Sequence, residues 1–347
     1  MKQQESETSS VKGALSIPTL PTHVTGDLLW AFFPTSITNE SFPQTTLPED
    51  MYPVLKNTSA STSYFVRELP YSWDFLLENF MDPGHIPFAH HSLQGARTDG
   101  SPIAMEVIAN NFTHCEVSFN DQIRKKPRTG VVSFQRPAYY HFRTLRGDGV
   151  WKENLKIFSV PIQHGRCRVL FESPLSNSKV PTWLVHAGSN RFLNTDSWLH
   201  DAERFSRKSA KLNYLYPTSS DLGTRTFRAW WETNGMANAP PHTYGPAPLA
   251  DLPQQSRRTQ TDPWTGHTKQ CTSCRRALKK FKRAKKAGFL TAFFTGILLR
   301  PRMPRMMTAI SALSLLVSWI SSRAIAIIEG EISPSNVGDR SVAAIAK

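Results

Sequence analysis

Between residues 78 and 91 the chain reads Glu78-Asn79-Phe80-Met81-Asp82-Pro83-Gly84-His85-Ile86-Pro87-Phe88-Ala89-His90-His91, an amide, a carboxylate and three imidazoles set among apolar side chains. Two imidazoles and a carboxylate on one face of an ion, with the opposite positions open, form the facial triad that holds Fe(II) in non-heme oxygenases. A bare His-x4-His is a weak signal in a chain with 11 histidines. The spacing Asn79-x2-Asp82-x2-His85-x4-His90, with its proline and aromatic setting, is far more specific.

On one ideal helix, residues five apart are about 140° apart round the axis, which is poor for chelation. Pro87 lies between the two histidines and must interrupt a helix, so a kink there is expected to swing His90 towards His85. Asp82, three residues before His85, would share its helical face. Its carboxylate there can accept the second ring N–H of a ligand histidine and fix its tautomer. Asn79 is expected to be a polar group near the metal, and His91 to point elsewhere.

The phrase resembles the mononuclear-iron motif of Rieske-type oxygenases, and is most similar to their pheophorbide a oxygenase and chlorophyllide a oxygenase branch. The resemblance extends to Tyr214-x-Tyr216-Pro217-Thr218-x2-Asp221 and Arg228-x-Trp230. It implies His85, His90 and Asp196 as the iron ligands, with Asp196 taken from Asp196-x3-His200-x2-Glu203 and Asp201 as runner-up. It also implies that Asp82 relays electrons from a Rieske centre on a neighbouring subunit. The implied reaction is O₂-dependent monooxygenation of a chlorophyll-type tetrapyrrole in a plastid membrane. Electrons would come from ferredoxin or a Rieske-bearing subunit, and the assembly would be a homotrimer.

A Rieske [2Fe–2S] cluster takes two Cys and two His ligands, ordinarily as Cys-x-His and later Cys-x2-His. The cysteines Cys115, Cys167, Cys271 and Cys274 offer neither pattern. The expected identity is therefore a catalytic portion whose cluster lies outside these residues, turning over only when one is supplied. The different-class alternative is a membrane-tethered tetrapyrrole-binding protein without catalysis.

The elements that must position these residues divide the chain into segments. Residues 1–64 read as a loose polar N-terminus followed by Gly26–Pro34, a short strand similar to the one that ends a Rieske domain. Glu5 and Glu7 argue against a transit peptide. Residues 65–235 read as the catalytic domain. Helix is expected around Trp73–Phe80 and from Thr182 to Leu215. Between them, strands are expected at Ala104–Ile108, Cys115–Phe119, Val131–Phe134, Tyr139–Phe142, Asn154–Val160 and Cys167–Glu172, several of which alternate apolar and polar residues. The expected class is α+β, an antiparallel sheet gripping a long C-terminal helix in a START-like arrangement. Residues 236–270 read as a Pro-rich linker.

Net charge is +14, much of it from eight Lys and Arg residues between Arg275 and Lys286 with no acid among them. Such a run suits anionic lipid or nucleic acid. Its apolar neighbour Gly288–Leu299, and Met306–Ile328 beyond, favour a membrane hairpin anchor over nucleic acid. Cys271-x2-Cys274 immediately before it reads as a redox dithiol, for which the resemblance implies thioredoxin regulation, or as two inert thiols. Half of a zinc site is the weakest reading, because no second Cys or His pair follows it.

Overall fold

The computed structural model describes residues 21–25, 28–31, 47, 52, 64–163, 165–172, 179–207, 215–234, 253–299 and 304–330. The remaining N-terminal residues, the C-terminal end and much of the Pro-rich stretch after residue 234 lie outside the described residues. The chain separates into two compact units, Met1–Thr62 and Ser63–Lys347.

In the first unit, β1 (Thr22–Thr25) and β2 (Leu28–Ala31) form an antiparallel pair, with β2 inside the segment expected as a strand. The second unit is built on a seven-stranded antiparallel sheet. Its strands are β3 (Tyr64–Leu69), β4 (Ala104–Asn110), β5 (His114–Ile123), β6 (Lys126–Gln135), β7 (Tyr139–Leu145), β8 (Trp151–Gln163) and β9 (Arg166–Glu172), in the order β3-β9-β8-β7-β6-β5-β4. Strands β4 to β9 contain the six stretches expected as strands. Strand β3 was not foreseen; it closes the sheet by pairing Phe65 with Phe171 and Leu69 with Cys167.

Alternation sets the faces. Along β5, Cys115, Val117 and Phe119 turn inward and are fully buried, as period-2 side-chain geometry requires. Against them pack α1 (Trp73–Phe80) and α5 (Leu222–Thr233), which bring Trp73 and Trp231 within 5.0 Å and bury Phe227 and Trp230 completely. The Trp230 indole N–H donates to the Asn111 carbonyl at 2.7 Å, so its one polar atom is satisfied inside the core. Each such large apolar side chain contributes about 1.5–3 kcal/mol on burial. Gly223 lets α5 approach the loop after α1: a Cβ there would lie 2.0 Å from the Met81 carbonyl oxygen.

Between these in the chain lie a one-turn helix α2 (Ile86–Ala89), α3 (Thr182–Asn194) and α4 (Trp198–Arg207), and a short α6 (Arg257–Gln260) follows α5. The long helix expected from Thr182 to Leu215 is broken after Asn194. Asn194-Thr195-Asp196-Ser197 puts four weak helix formers in succession, whose side chains compete for backbone hydrogen bonds; the Thr195 hydroxyl bonds the Phe192 carbonyl at 2.6 Å. The class is thus mixed helix and antiparallel sheet, without one unbroken helix along the sheet.

At the C-terminal end, α7 (Thr272–Phe293) and α8 (Pro304–Glu329) form an antiparallel hairpin. Gly288 permits the contact, since a Cβ there would lie 2.6 Å from the Ser314 carbonyl oxygen. Among the described residues, α8 is the one helix long and apolar enough to cross a bilayer. Leu313, Leu316 and Trp319 on α8, with Phe289 and Leu290 on α7, are exposed.

Candidate metal centre

Helix α1 ends at Met81, and the chain turns through Asp82-Pro83-Gly84. Asp82 is extended and its carboxylate accepts the Gly84 N–H at 2.7 Å, capping a 3₁₀ turn from Pro83 to His85. A new helical turn then starts at Ile86. Pro87 falls in that first turn, where its missing N–H costs nothing, and His90 forms the C-cap. The two histidines therefore belong to separate turns rather than to one helix kinked at Pro87.

The Nε2 atoms of His85 and His90 lie 3.2 Å apart. His85 Nδ1 contacts the main-chain carbonyl of Asp82, so the backbone of that residue, and not the expected carboxylate, holds the ring. His90 Nδ1 lies 2.7 Å from the Thr195 hydroxyl, whose proton is committed to Phe192, so the hydroxyl accepts. Both rings consequently carry their proton on Nδ1 and turn an Nε2 lone pair towards each other. Burial pushes the basicity of His90 down to about 3 and lowers that of His85, so no proton relieves the confrontation at neutral pH. A cation does.

Asp196, in the break between α3 and α4, completes the group. Its Oδ2 is 3.7 Å from His90 Nε2, and ligand atoms of His85, His90 and Asp196 all lie within 4.8 Å of one another. Only 1% exposed, the carboxylate has no partner in hydrogen-bonding geometry for either oxygen among the described residues. Burial pushes it up to about 6, opposed by His85 and then by the nearby Asn79. Metal–nitrogen bonds of about 2.1 Å give cis edges of about 3 Å in an octahedron, so small movements seat all three on one ion. The donor set and the orphaned carboxylate fit an iron of the facial-triad kind.

Asn79 is buried, and its amide too has no partner in hydrogen-bonding geometry among the described residues. Asp201, the runner-up, is exposed on α4, and His91 accepts the Arg97 N–H instead. Asp82, whose carboxylate is held by the Gly84 N–H, lines a depression together with Asp99, Asp121 and Asp221. Burial first, then Asp221 and Glu78, raise it to about 6. On the other side, His85 and His90 line a cavity of about 160 Å³ walled by Phe80, Val132, Tyr140 and Phe142.

Sequence reasoning missed Thr195, although it is adjacent to Asp196 and of a type that supports ligand histidines. Cys271 and Cys274 also have company that was not foreseen: His186 on α3 and His267, in the π turn Trp264–Thr268 within the stretch read as linker. The Cys271 thiol is held well below the usual range, first by its hydrogen bond with Cys274 and then by those with the two imidazoles.

No family model matches the chain. It is 26% identical over 310 residues to protochlorophyllide-dependent translocon component 52 of Arabidopsis thaliana, covering 75% of this chain and 55% of that protein. With pheophorbide a oxygenase of Oryza sativa subsp. japonica it shares 27% over 258 residues, 65% of this chain and 47% of the relative. Flavonoid 8-hydroxylase 2 of Ocimum basilicum is 24% identical over 80% of this chain and 56% of that protein. All three relatives are named as chloroplastic, and the chain spans about half their length. Among solved structures, dicamba monooxygenase bound to 3,6-dichlorosalicylic acid aligns with TM-score 0.43 and 10% identity over 64% of this chain and 71% of the other. Pseudomonas putida NdmA with caffeine gives 0.43 and 13%, over 63% and 64%. The chain is a homologue of the pheophorbide a oxygenase group of Rieske-type oxygenases.

Proposed function

We propose that these residues are the mononuclear-iron portion of an oxygenase acting on a flat, hydrophobic, chlorophyll-type tetrapyrrole. The observation that carries the reading is the meeting of two Nε2 lone pairs, at the wall of an apolar cavity, with a buried carboxylate that lacks a partner in strict hydrogen-bonding geometry among the described residues. His85, His90 and Asp196 would hold Fe(II), which when bound supplies the activation of O₂. Thr195 and the Asp82 carbonyl keep both imidazoles in the ligating tautomer. Phe192, stacked 3.9 Å from His90, and the aromatic walls exclude water. A cavity of about 150 Å³ accommodates a benzene-sized ring. At about 160 Å³, this one takes a single edge of a macrocycle, with the remainder at the mouth.

Asp82, at the lining of the neighbouring depression, is the acceptor for a histidine of a Rieske centre, whether carried elsewhere on the full protein or by a separate subunit supplied by ferredoxin. The exposed apolar faces of α7 and α8 beside the basic run support a hairpin anchor in a plastid membrane. Trimeric assembly follows from the resemblance alone.

The test is anaerobic titration of the chain with Fe(II). About one equivalent is expected, lost in His85→Ala/His90→Ala, followed by O₂-dependent turnover of pheophorbide a or chlorophyllide a once a Rieske domain is fused at the N-terminus. Iron retained in the double variant overturns the ligand assignment. An iron-loaded fusion that binds tetrapyrrole without oxidising it supports the binding-protein reading instead.

A further inference from the structure

A second set of metal-binding donors lies in the same unit. His186 Nδ1 is 3.1 Å from His267 Nε2, 3.4 Å from Cys271 Sγ and 3.5 Å from Cys274 Sγ; Cys274 Sγ is in turn 3.4 Å from His267 Nε2. All four ligand atoms lie within 4.8 Å of one another, and His186, His267 and Cys274 are buried. With bonds of about 2.05 Å to nitrogen and 2.3 Å to sulfur, a tetrahedral zinc ion has N–N edges of about 3.3 Å and N–S edges of about 3.5 Å. The four separations lie within about 0.2 Å of those edges. We propose that His186, His267, Cys271 and Cys274 form a structural zinc site.

The surroundings are those of a built site. His267 Nδ1 donates to the Val66 carbonyl at 2.7 Å, leaving Nε2 as a bare lone pair aimed at the centre, as a carbonyl-oriented ligand histidine requires. Phe65 stacks on His267 at 4.5 Å and meets His186 edge-on at 5.2 Å, fixing both rings. Cys271 is the N-cap of α7 and Cys274 lies in its first turn, so the helix start delivers both sulfurs to one point. Neither sulfur is in a disulfide.

One ion, rather than a displaced Rieske cluster, fits these two cysteines and two histidines. In a Rieske centre the thiolates bind one iron and the imidazoles the other, which separates every sulfur from every nitrogen by the width of the cluster. Here three of the four N–S separations are 3.4–3.5 Å. Soft thiolates with imidazoles in a closed tetrahedron select zinc. The site joins α3, the π turn behind β3 and the base of the α7–α8 hairpin. It therefore clamps the proposed anchor to the helix that runs into Asp196. It also makes Cys271 and Cys274 metal ligands rather than a dithiol available to thioredoxin.

The experiment uses the full chain in detergent, without a histidine tag, in the His85→Ala/His90→Ala background so that the iron site cannot contribute. One zinc per chain is expected by elemental analysis, with two sulfur and two nitrogen neighbours by X-ray absorption at the zinc edge. Replacement by Co(II) should give the intense visible bands of a tetrahedral thiolate site. Cys274→Ser and His267→Ala should each lower zinc content at least tenfold; should either fail to fold, the absorption measurement on the unmutated tetrad decides. A folded chain without metal whose two thiols react freely or form a disulfide overturns the proposal, as does a [2Fe–2S] spectrum from the tetrad.

Discussion

Asp196→Asn should stabilise the metal-free protein while destroying its iron site. The carboxylate is 1% exposed and has no partner in hydrogen-bonding geometry among the described residues, so the folded state disfavours its charge. Its pKa moves from 3.8 to about 6; at 1.36 kcal/mol per pKa unit that is about 3 kcal/mol. For an acid the raised value means that the folded state binds the proton more tightly. The penalty is therefore small near pH 4, grows as pH rises from about 4 to about 6, and is fully present above that. An asparagine amide at this position carries no such charge. Denaturant unfolding of both proteins in chelator should show the variant more stable by about 3 kcal/mol at pH 7, with the gap closing towards pH 4. Fe(II) at a hundredfold excess over its Kd returns about 2.7 kcal/mol to the unmutated protein and little to the variant, so iron should nearly cancel the difference. A variant less stable than the parent at pH 7 without metal would mean that Asp196 has a structural partner, and the ligand argument would fail.

Thr195→Val removes the acceptor for His90 Nδ1 and leaves a buried N–H unmade, at about 1–3 kcal/mol. Fe(II) affinity should fall about 10- to 100-fold and recover in Thr195→Ser, as measured by anaerobic titration. Asp82→Asn should leave Fe(II) affinity within about threefold, yet cut turnover of a Rieske-fused protein at least tenfold. With Asp82 at about 6, electron-supported turnover of the parent should decline below about pH 6 as the acceptor is protonated, and a pH-rate profile of the variant should lack that limb. Leu316→Glu with Trp319→Glu, both on the exposed face of α8, should shift the chain from the membrane pellet to the supernatant. An unchanged distribution would remove the anchor.

What could be read from the sequence was whatever the chain keeps local. Residues 79–90 carry their own turn signals, Pro83-Gly84 and Pro87, and six strands announced themselves as short apolar runs, several of them alternating with polar residues. Even there, local rules misjudged detail. Helical spacing suggested the Asp82 carboxylate as the support for His85, whereas an N-cap turns that carboxylate onto Gly84 and leaves the carbonyl for the ring. The run Thr182–Leu215 has helical apolar spacing throughout, but spacing is blind to four consecutive capping residues, and the break they cause is what carries Asp196 to the histidines. The Cys271-x2-Cys274 pair fared worst because its companions were sought downstream. His267 precedes it by one turn in a segment read as linker, and His186 is a further 81 residues upstream.

The two centres differ in what closes them, and that difference has a physical consequence. At the tetrad all four positions of a tetrahedron are filled by protein and the site lies under Phe65 and the hairpin base, so a metal there has no position for substrate. At His85, His90 and Asp196, three donors would hold an ion beside the cavity that His85 and His90 line with Phe80, Val132 and Tyr140, with coordination positions left for substrate. The donors' mutual contacts only partly offset the burial of the carboxylate, which stays raised to about 6. Closed coordination stabilises a junction and open coordination leaves room for chemistry. A chain that buries a carboxylate beside two opposed lone pairs sacrifices stability at a place where an ion would restore it.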